Sequence, residues 1–228
     1  MLFSTSQAQE RKPYEDLNLK YLVQLPSNKS AHAPILFLMH GYGSNEGDLF
    51  ELRKFFPANF IIISIRAPFS VNSNGYQWYS MTKTNGHHDG KKEDMDNSRD
   101  LIIKFINKAV EKFHADPKSV YLSGFSQGAM MSYYTGLYAP SLFKGIAPLS
   151  GMIVQGLKPE IKITPALKQL KIFIAHGTTD DRIPFTDGKS SYEYLSGLGL
   201  KPEFHQYAGM GHQISKNVID DLTDWLKK

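Results

Sequence analysis

Ser126 is the side chain of this sequence best placed to act as a nucleophile. It lies at the centre of Gly124-Phe125-Ser126-Gln127-Gly128, which follows a short apolar, β-prone segment and precedes a segment that can form a helix. A serine in such a strand-to-helix turn takes a strained backbone conformation that exposes its hydroxyl. We expect both glycines to be required, because a Cβ at either position would collide with the neighbouring strand or helix.

A serine hydroxyl is a weak nucleophile at neutral pH and needs a histidine base that is oriented by a carboxylate. After this type of turn the acid and then the histidine are expected in loops that follow later strands. His212 lies in a glycine-rich loop of this kind and is our candidate general base and acid. Asp180 follows the strand predicted at 171–175. We favour it over Asp181, because only one of two adjacent loop carboxylates can face His212. Asp187 is a third candidate, but a role as the cap of the next helix explains it better.

Backbone N–H groups at two places could stabilise a tetrahedral oxyanion. One belongs to Gln127, directly after the serine and near the start of the predicted helix. The second is expected in the glycine-rich loop 40–44, which follows the strand predicted at 35–39, and we choose the N–H of Tyr42. We interpret His40 as a structural residue that supports this loop.

Two further side chains could contact a substrate. Trp78 lies in the long segment 67–94, which we predict to be irregular, and we favour a role in a pocket wall over simple loop packing. Met152 follows a predicted strand at the catalytic edge and is the second candidate. The His-His-Asp sequence at 87–89 is better explained by side chains that face water than by metal ligands, so we predict neither a metal nor another cofactor.

Strands and helices alternate along the chain and would bring these residues together. Short runs that are apolar at successive positions predict strands covered on both faces, at 20–25, 35–39, 60–65, 120–122, 145–149, 171–175 and 203–207. Helical periodicity predicts helices at 95–113 and 213–228, with shorter ones at 48–56 and 189–195. We therefore predict an α/β fold with a mostly parallel sheet of about seven strands, flanked by helices and without a separate cap domain.

Composition limits the class of protein further. We predict one domain over residues 1–228, with 1–19 as an N-terminal extension or edge segment. The net charge of +4 is spread over scattered lysines, which argues against a nucleic-acid surface, and the lack of cysteine excludes disulfides, thiolate metal sites and a cysteine nucleophile. No apolar run could span a bilayer and the first residues do not read as a secretory signal. We therefore predict no stable membrane insertion and a cytoplasmic location.

Four motifs, and their order along the chain, resemble those of the phospholipase/carboxylesterase family. This is a family of compact α/β-hydrolases that includes bacterial carboxylesterases and acyl-protein thioesterases. The motifs are His40-Gly41-Tyr42-Gly43, Gly124-Phe125-Ser126-Gln127-Gly128, His176-Gly177 followed by Asp180 and Ile183-Pro184, and finally Gly211-His212. The likeness runs from about residue 40 to the end of the sequence.

The resemblance implies an α/β-hydrolase fold with Ser126, Asp180 and His212 as the catalytic triad. It also implies that the Tyr42 and Gln127 amides form the oxyanion hole, and it suggests that the segment around Trp78 lines the acyl site. Asp181 departs from the family pattern, in which many members carry proline at this position.

Together these features predict a serine hydrolase that cleaves carboxylic esters of short-to-medium acyl chains through an acyl-enzyme on Ser126. The same triad serves acyl-thioesterases and lysophospholipases, which are the alternatives. Peptidases and amidases with this triad generally carry an additional domain. A binding protein on a hydrolase scaffold is the non-enzyme alternative, but such proteins typically lack a triad member. The expected partner is a small ester or acyl substrate, and an apolar channel near the surface is also compatible with a homodimer.

Overall fold

The computed structural model describes residues 12–27, 32–84 and 86–228. Most of the predicted N-terminal segment, residues 1–11, lies outside the described residues. The strands are β1 (Tyr21–Gln24), β2 (Ile35–Met39), β3 (Ile61–Ile65), β4 (Phe69–Ser70), β5 (Tyr76–Gln77), β6 (Met81–Thr84), β7 (His87–Gly90), β8 (Val120–Phe125), β9 (Gly145–Leu149), β10 (Lys171–Gly177) and β11 (Glu203–Tyr207). The α-helices are α1 (Glu46–Phe50), α2 (Lys92–Lys112), α3 (Gln127–Tyr138), α4 (Pro165–Gln169), α5 (Phe185–Gly197) and α6 (Lys216–Leu226). Short 3₁₀ helices lie at Glu51–Phe55, Pro140–Leu142 and Gln155–Glu160.

Seven strands form the central sheet, in the order β1-β3-β2-β8-β9-β10-β11. Only β1 is antiparallel to its neighbour among these strands, and the other pairs are parallel. The strands β2, β3 and β9 are buried at every residue, as expected for strands covered on both faces. The predicted α/β-hydrolase fold, with a mostly parallel seven-stranded sheet flanked by helices, is confirmed.

The two faces of the sheet pack against different helices. Successive side chains of β2 alternate between the faces: Ile35, Phe37 and Met39 join the core beneath α2, α3 and α5, whereas Leu36 and Leu38 join the core beneath α1 and α6. Each apolar strand therefore buries both of its faces. This explains why the strands are apolar at successive positions in the sequence.

The predicted irregular segment 67–94 contains regular structure, and that prediction was wrong. Strands β4 and β5 pair with each other, β6 and β7 form an antiparallel hairpin, and α2 begins at Lys92 rather than at 95. All four residues of β6 are exposed, so no alternation of apolar residues marks this hairpin in the sequence. The short helix α4, which is capped by the Thr164 side chain, was also missed.

The turn between β8 and α3 has the backbone that its sequence predicts. Ser126 lies at φ 55° and ψ −117°, a strained conformation for a residue with a side chain. A Cβ added at Gly124 would lie 2.2 Å from the carbonyl oxygen of Gly128, and one added at Gly128 would lie 2.1 Å from that of Met39. Both contacts are far too short, which confirms that the turn requires both glycines.

Replacement of Gly128 by alanine is therefore expected to destabilise the protein by about 3 kcal/mol, because the obstructing atom is backbone and cannot rotate away. Urea unfolding measures this loss. Gly197→Ala is the matched control, since a Cβ there meets nothing within 4 Å in helix α5, and it should be neutral or slightly stabilising. A Gly128→Ala protein as stable as the wild type would contradict this packing.

Candidate active site

Three loops at the carboxyl edge of the sheet bring Ser126, Asp180 and His212 together. The serine follows β8, the aspartate follows β10 and the histidine follows β11. The Nε2 atom of His212 lies 2.9 Å from Oγ of Ser126, and its Nδ1 atom lies 2.7 Å from Oδ2 of Asp180. This is a continuous hydrogen-bonded path from a carboxylate through an imidazole to a hydroxyl, and such a path can take up the proton of an attacking serine.

The carboxylate of Asp180 is held from two sides. Its Oδ1 atom accepts the backbone N–H groups of Arg182 and Ile183, each at 2.9 Å, which leaves Oδ2 for His212. The side chain is completely buried, so the pair with His212 is shielded from water. These bonds fix both the position and the rotation of the carboxylate.

The other two carboxylates considered for this role lie elsewhere. Asp181 is exposed. Asp187 lies in the first turn of α5 and pairs with His87 at 3.2 Å, and its side chain caps no helix N–H. The predicted cap is therefore corrected: this carboxylate meets the hairpin β6–β7, and the helix start is formed by Pro184.

The loops that carry Asp180 and His212 are tied directly to each other. The N–H of Thr178 donates to the carbonyl of Tyr207 at 3.0 Å, and the N–H of Thr179 donates to that of Met210 at 3.1 Å. These bonds continue the pairing of β10 with β11 beyond the ends of the strands. The separation between the carboxylate and the imidazole is therefore set by the sheet itself.

Tyr42 and Gln127 line the same cavity as Ser126, and each has a backbone N–H group of the kind that stabilises an oxyanion. Among the described residues, neither group donates to another part of the chain, so both can bind an incoming oxygen. Gln127 is the first residue of α3, where the helix dipole adds positive potential. The loop that carries Tyr42 is held in place by the Gly43 N–H, which donates to the carbonyl of Tyr76 at 2.8 Å.

Trp78 does not line the cavity, so its predicted role in the pocket wall is corrected. The residue is fully buried, and its indole N–H donates to the carbonyl of His40 at 2.8 Å. The side-chain amide of Gln127 holds the same segment, since it accepts the Trp78 N–H at 2.8 Å and donates to the Tyr79 carbonyl at 2.9 Å. Trp78 thus supports the wall from behind, and Tyr79 is the residue that lines it.

The cavity beside Ser126 has a volume of about 530 Å³, within the range of small-molecule sites. Of the described residues, Met152 is not part of its lining; it lies in the core, and its predicted substrate contact is corrected. Met130 is buried and also reaches the cavity wall. The hairpin β6–β7 supplies a further wall, which includes Asp89.

Two buried histidines near the site have a structural role. The ring of His40 donates from Nδ1 to the Gly41 carbonyl at 2.7 Å and accepts the Ala67 N–H at Nε2. The ring of His176 donates from Nε2 to the carbonyl of Ile183 at 2.9 Å, while its buried Nδ1 has no partner among the residues that the structure describes. Burial lowers the pKa of His40 and of His176. Both rings are therefore held neutral in the folded protein.

These lowered pKa values predict that acid destabilises the fold at mild pH. An unfolded histidine takes up a proton near pH 6.5, but each folded ring resists protonation, so the unfolded state binds more protons below that pH. The stability that the two neutral rings contribute is fully present above about pH 6.5, and it is lost progressively as the pH falls from there towards the lower folded-state pKa values. Urea unfolding between about pH 7.5 and 5.5 should show a falling free energy of unfolding. A constant or rising value would contradict this interpretation.

The sequence His-His-Asp at 87–89 does not gather into a metal site. His87 pairs with Asp187, and His88 lies 3.2 Å from the Arg182 carbonyl. Within 12–27, 32–84 and 86–228, no three histidine or acidic side chains are grouped to hold a metal ion. A search of the same residues finds no helix with the length and apolar character needed to cross a bilayer.

Comparison with known proteins identifies the family of this chain. The model of the phospholipase/carboxylesterase family matches residues 22–228. The chain is 29% identical to acyl-protein thioesterase 1 of Gibberella zeae over 199 residues, which are 83% of this chain and 84% of that protein. It is 32% identical to a probable carboxylesterase of Oryza sativa subsp. japonica over 132 residues, which cover 54% of this chain and only 50% of the rice protein.

Solved structures agree with the sequence comparisons. The crystal structure of esterase PE8 is 29% identical, with a TM-score of 0.78 over 92% of this chain and 98% of that one. The carboxylesterase of Bacillus cereus is 20% identical and shares the fold, with a TM-score of 0.77 over 92% of this chain and 93% of its own. The chain therefore belongs to the phospholipase/carboxylesterase family and is an esterase or thioesterase of that family.

Proposed function

We propose that this protein is a carboxylesterase that cleaves carboxylic esters with short-to-medium acyl chains. The observation that carries the proposal is the hydrogen-bonded path from Asp180 through His212 to Ser126 beside an open cavity. Ser126 is the nucleophile, His212 is the general base and acid, and Asp180 orients the imidazole.

In the proposed reaction, Nε2 of His212 takes the proton of the Ser126 hydroxyl while Oγ attacks the acyl carbon. The carbonyl oxygen becomes an oxyanion that accepts hydrogen bonds from the Tyr42 and Gln127 N–H groups. When the intermediate collapses, the C–O bond to the alcohol breaks and His212 gives its proton to the departing oxygen. A water molecule, deprotonated by His212, then attacks the acyl carbon. The bond between this carbon and Oγ of Ser126 breaks, His212 returns the proton to Oγ, and the acid is released.

Thioester cleavage is the second candidate, and one observation favours it. The chain is similar to acyl-protein thioesterase 1 of Gibberella zeae over 83% of its length. A thiolate leaves more readily than an alkoxide, so the same serine, histidine and oxyanion donors would serve both reactions.

Matched substrates separate the two candidates. We would measure kcat/KM for oxygen esters and thioesters that carry the same acyl chains. The chains are butyryl, octanoyl and palmitoyl, so the bond type and the chain length are varied separately. We expect the butyryl and octanoyl oxygen esters to be the best substrates, since the cavity of about 530 Å³ suits a small acyl group. Consistently higher kcat/KM for the thioesters would identify a thioesterase, and a preference for palmitoyl would contradict the proposed chain length.

A further inference from the structure

The cavity beside Ser126 carries one buried charge that the proposed reaction does not use. Asp48, His88, Asp89 and Arg182 all line the cavity. Asp48 and Arg182 are exposed, whereas Asp89 is only 7% exposed. The carboxylate of Asp89 is therefore the charge that is best shielded from bulk water.

Asp89 has no cationic partner among the residues that the structure describes. Its Oδ1 atom accepts the N–H of the next residue, Gly90, at 2.9 Å, and Oδ2 has no donor within this part of the chain. The nearby hydroxyl of Tyr79 donates to the sulfur of Met130 at 2.9 Å and not to this carboxylate. Asp89 is nearly buried but lines the cavity, so its second oxygen is available to a donor that enters the cavity.

The exposure of the charged side chains decides which of them sets the potential in the cavity. Asp48 accepts the Ser44 hydroxyl at 2.8 Å and is exposed, and Arg182 is exposed as well. Charges in contact with water are screened, whereas a buried charge acts through a medium of lower polarity. Asp89 therefore dominates, and the interior of the cavity favours a positive group.

Aromatic rings around the same cavity suit such a group. Tyr42, Tyr79 and Phe125 contribute to its lining. The face of an aromatic ring attracts cations, and quaternary ammonium groups are commonly bound by cages of aromatic rings. The aromatic lining thus supports the same conclusion as the unpaired carboxylate.

We propose that this cavity selects esters that carry an ammonium group and that Asp89 is the residue that determines this preference. The inference rests on the proposed ester hydrolysis at Ser126 and names its substrate class. The bonds made and broken are those of that reaction, and the ammonium group takes no part in them.

Two pairs of substrates that differ only in one positive charge test the proposal. Butyrylcholine is compared with 3,3-dimethylbutyl butyrate, and p-nitrophenyl 4-(trimethylammonio)butanoate with p-nitrophenyl 5,5-dimethylhexanoate. The charge lies on the alcohol side in the first pair and on the acyl side in the second. We expect kcat/KM for the cationic member of at least one pair to be about tenfold higher, the ratio given by about 1.4 kcal/mol.

Charge-removing variants then assign that preference to one side chain. Asp89→Asn should reduce the ratio of kcat/KM between the cationic and neutral members towards one. Asp181→Asn is the matched control, because it removes one negative charge from an exposed residue outside the cavity, and it should leave the ratio unchanged. An unchanged ratio in Asp89→Asn, or an equal loss in the control, would overturn the assignment to Asp89.

Competition with the wild-type protein keeps the proposal testable if Asp89→Asn fails to fold. Choline and 3,3-dimethylbutanol have the same shape and are compared as inhibitors of p-nitrophenyl butyrate hydrolysis. Choline should inhibit at about tenfold lower concentration. Equal inhibition, or equal hydrolysis within both substrate pairs, would overturn the cationic preference while ester hydrolysis itself stands. If neither member of either pair is hydrolysed, the cationic preference falls together with the proposed function.

Discussion

Replacement of Ser126 by alanine is expected to lower kcat for ester hydrolysis by about 10⁴- to 10⁶-fold. The change removes the Oγ atom that lies 2.9 Å from Nε2 of His212 and that forms the bond to the acyl carbon. The backbone N–H donors of Tyr42 and Gln127 remain. The variant therefore keeps only the residual rate that substrate binding and stabilisation of the oxyanion provide. Initial rates with p-nitrophenyl butyrate measure the effect.

An exposed serine provides the control for this experiment. Ser190 lies on the outer side of α5, and Ser190→Ala should retain the wild-type rate. The unfolding midpoints of both variants should match that of the wild type, because neither side chain supports the core. Full ester turnover by a purified Ser126→Ala protein would exclude this serine as the nucleophile.

Replacement of Asp180 by asparagine should lower kcat by about 10⁴-fold, because it would force His212 into the wrong tautomer. Two backbone N–H groups donate to Oδ1, so the asparagine oxygen must occupy that place and its NH₂ group must face His212. The imidazole would then have to accept at Nδ1 and carry its proton on Nε2. In that form it cannot take the proton of Ser126, although all the atoms remain in position.

The adjacent acid gives a control for the assignment to Asp180. Asp181→Asn makes the same chemical change one residue away on an exposed side chain, and kcat should stay within about twofold of the wild type. Steady-state rates at saturating ester compare the two variants directly. A larger loss in Asp181→Asn than in Asp180→Asn would show that the carboxylate has been assigned to the wrong residue.

The sheet could be predicted from the sequence because its strands are buried on both faces. Runs such as 35–39 and 61–65 are buried at every residue and apolar at every position except Ser64, and their neighbours supply the helical periodicity that covers them. The turn at Ser126 was equally predictable, since the backbone clashes that require Gly124 and Gly128 are local. Features set by short-range sterics or by continuous burial are those that the sequence reveals.

The wall of the cavity could not be predicted in the same way, because distant partners determine it. Trp78 was expected to face the cavity, but the His40 carbonyl takes its indole N–H and the Gln127 side chain fixes its backbone. The exposed strand β6 gives no apolar pattern, so the hairpin that buries Asp89 leaves no signal. The orientation of these side chains depends on contacts between segments that lie far apart in the sequence.

The most direct test of the proposed chemistry is to label the folded protein with a fluorophosphonate and to map the adduct by mass spectrometry. A fluorophosphonate reacts with a serine that a neighbouring base activates and leaves a stable covalent adduct. We expect one adduct per chain, on the peptide that contains Ser126, and none in the Ser126→Ala variant. An unlabelled protein would support a binding protein on a hydrolase scaffold, and an adduct on a different serine would contradict the assignment of the nucleophile.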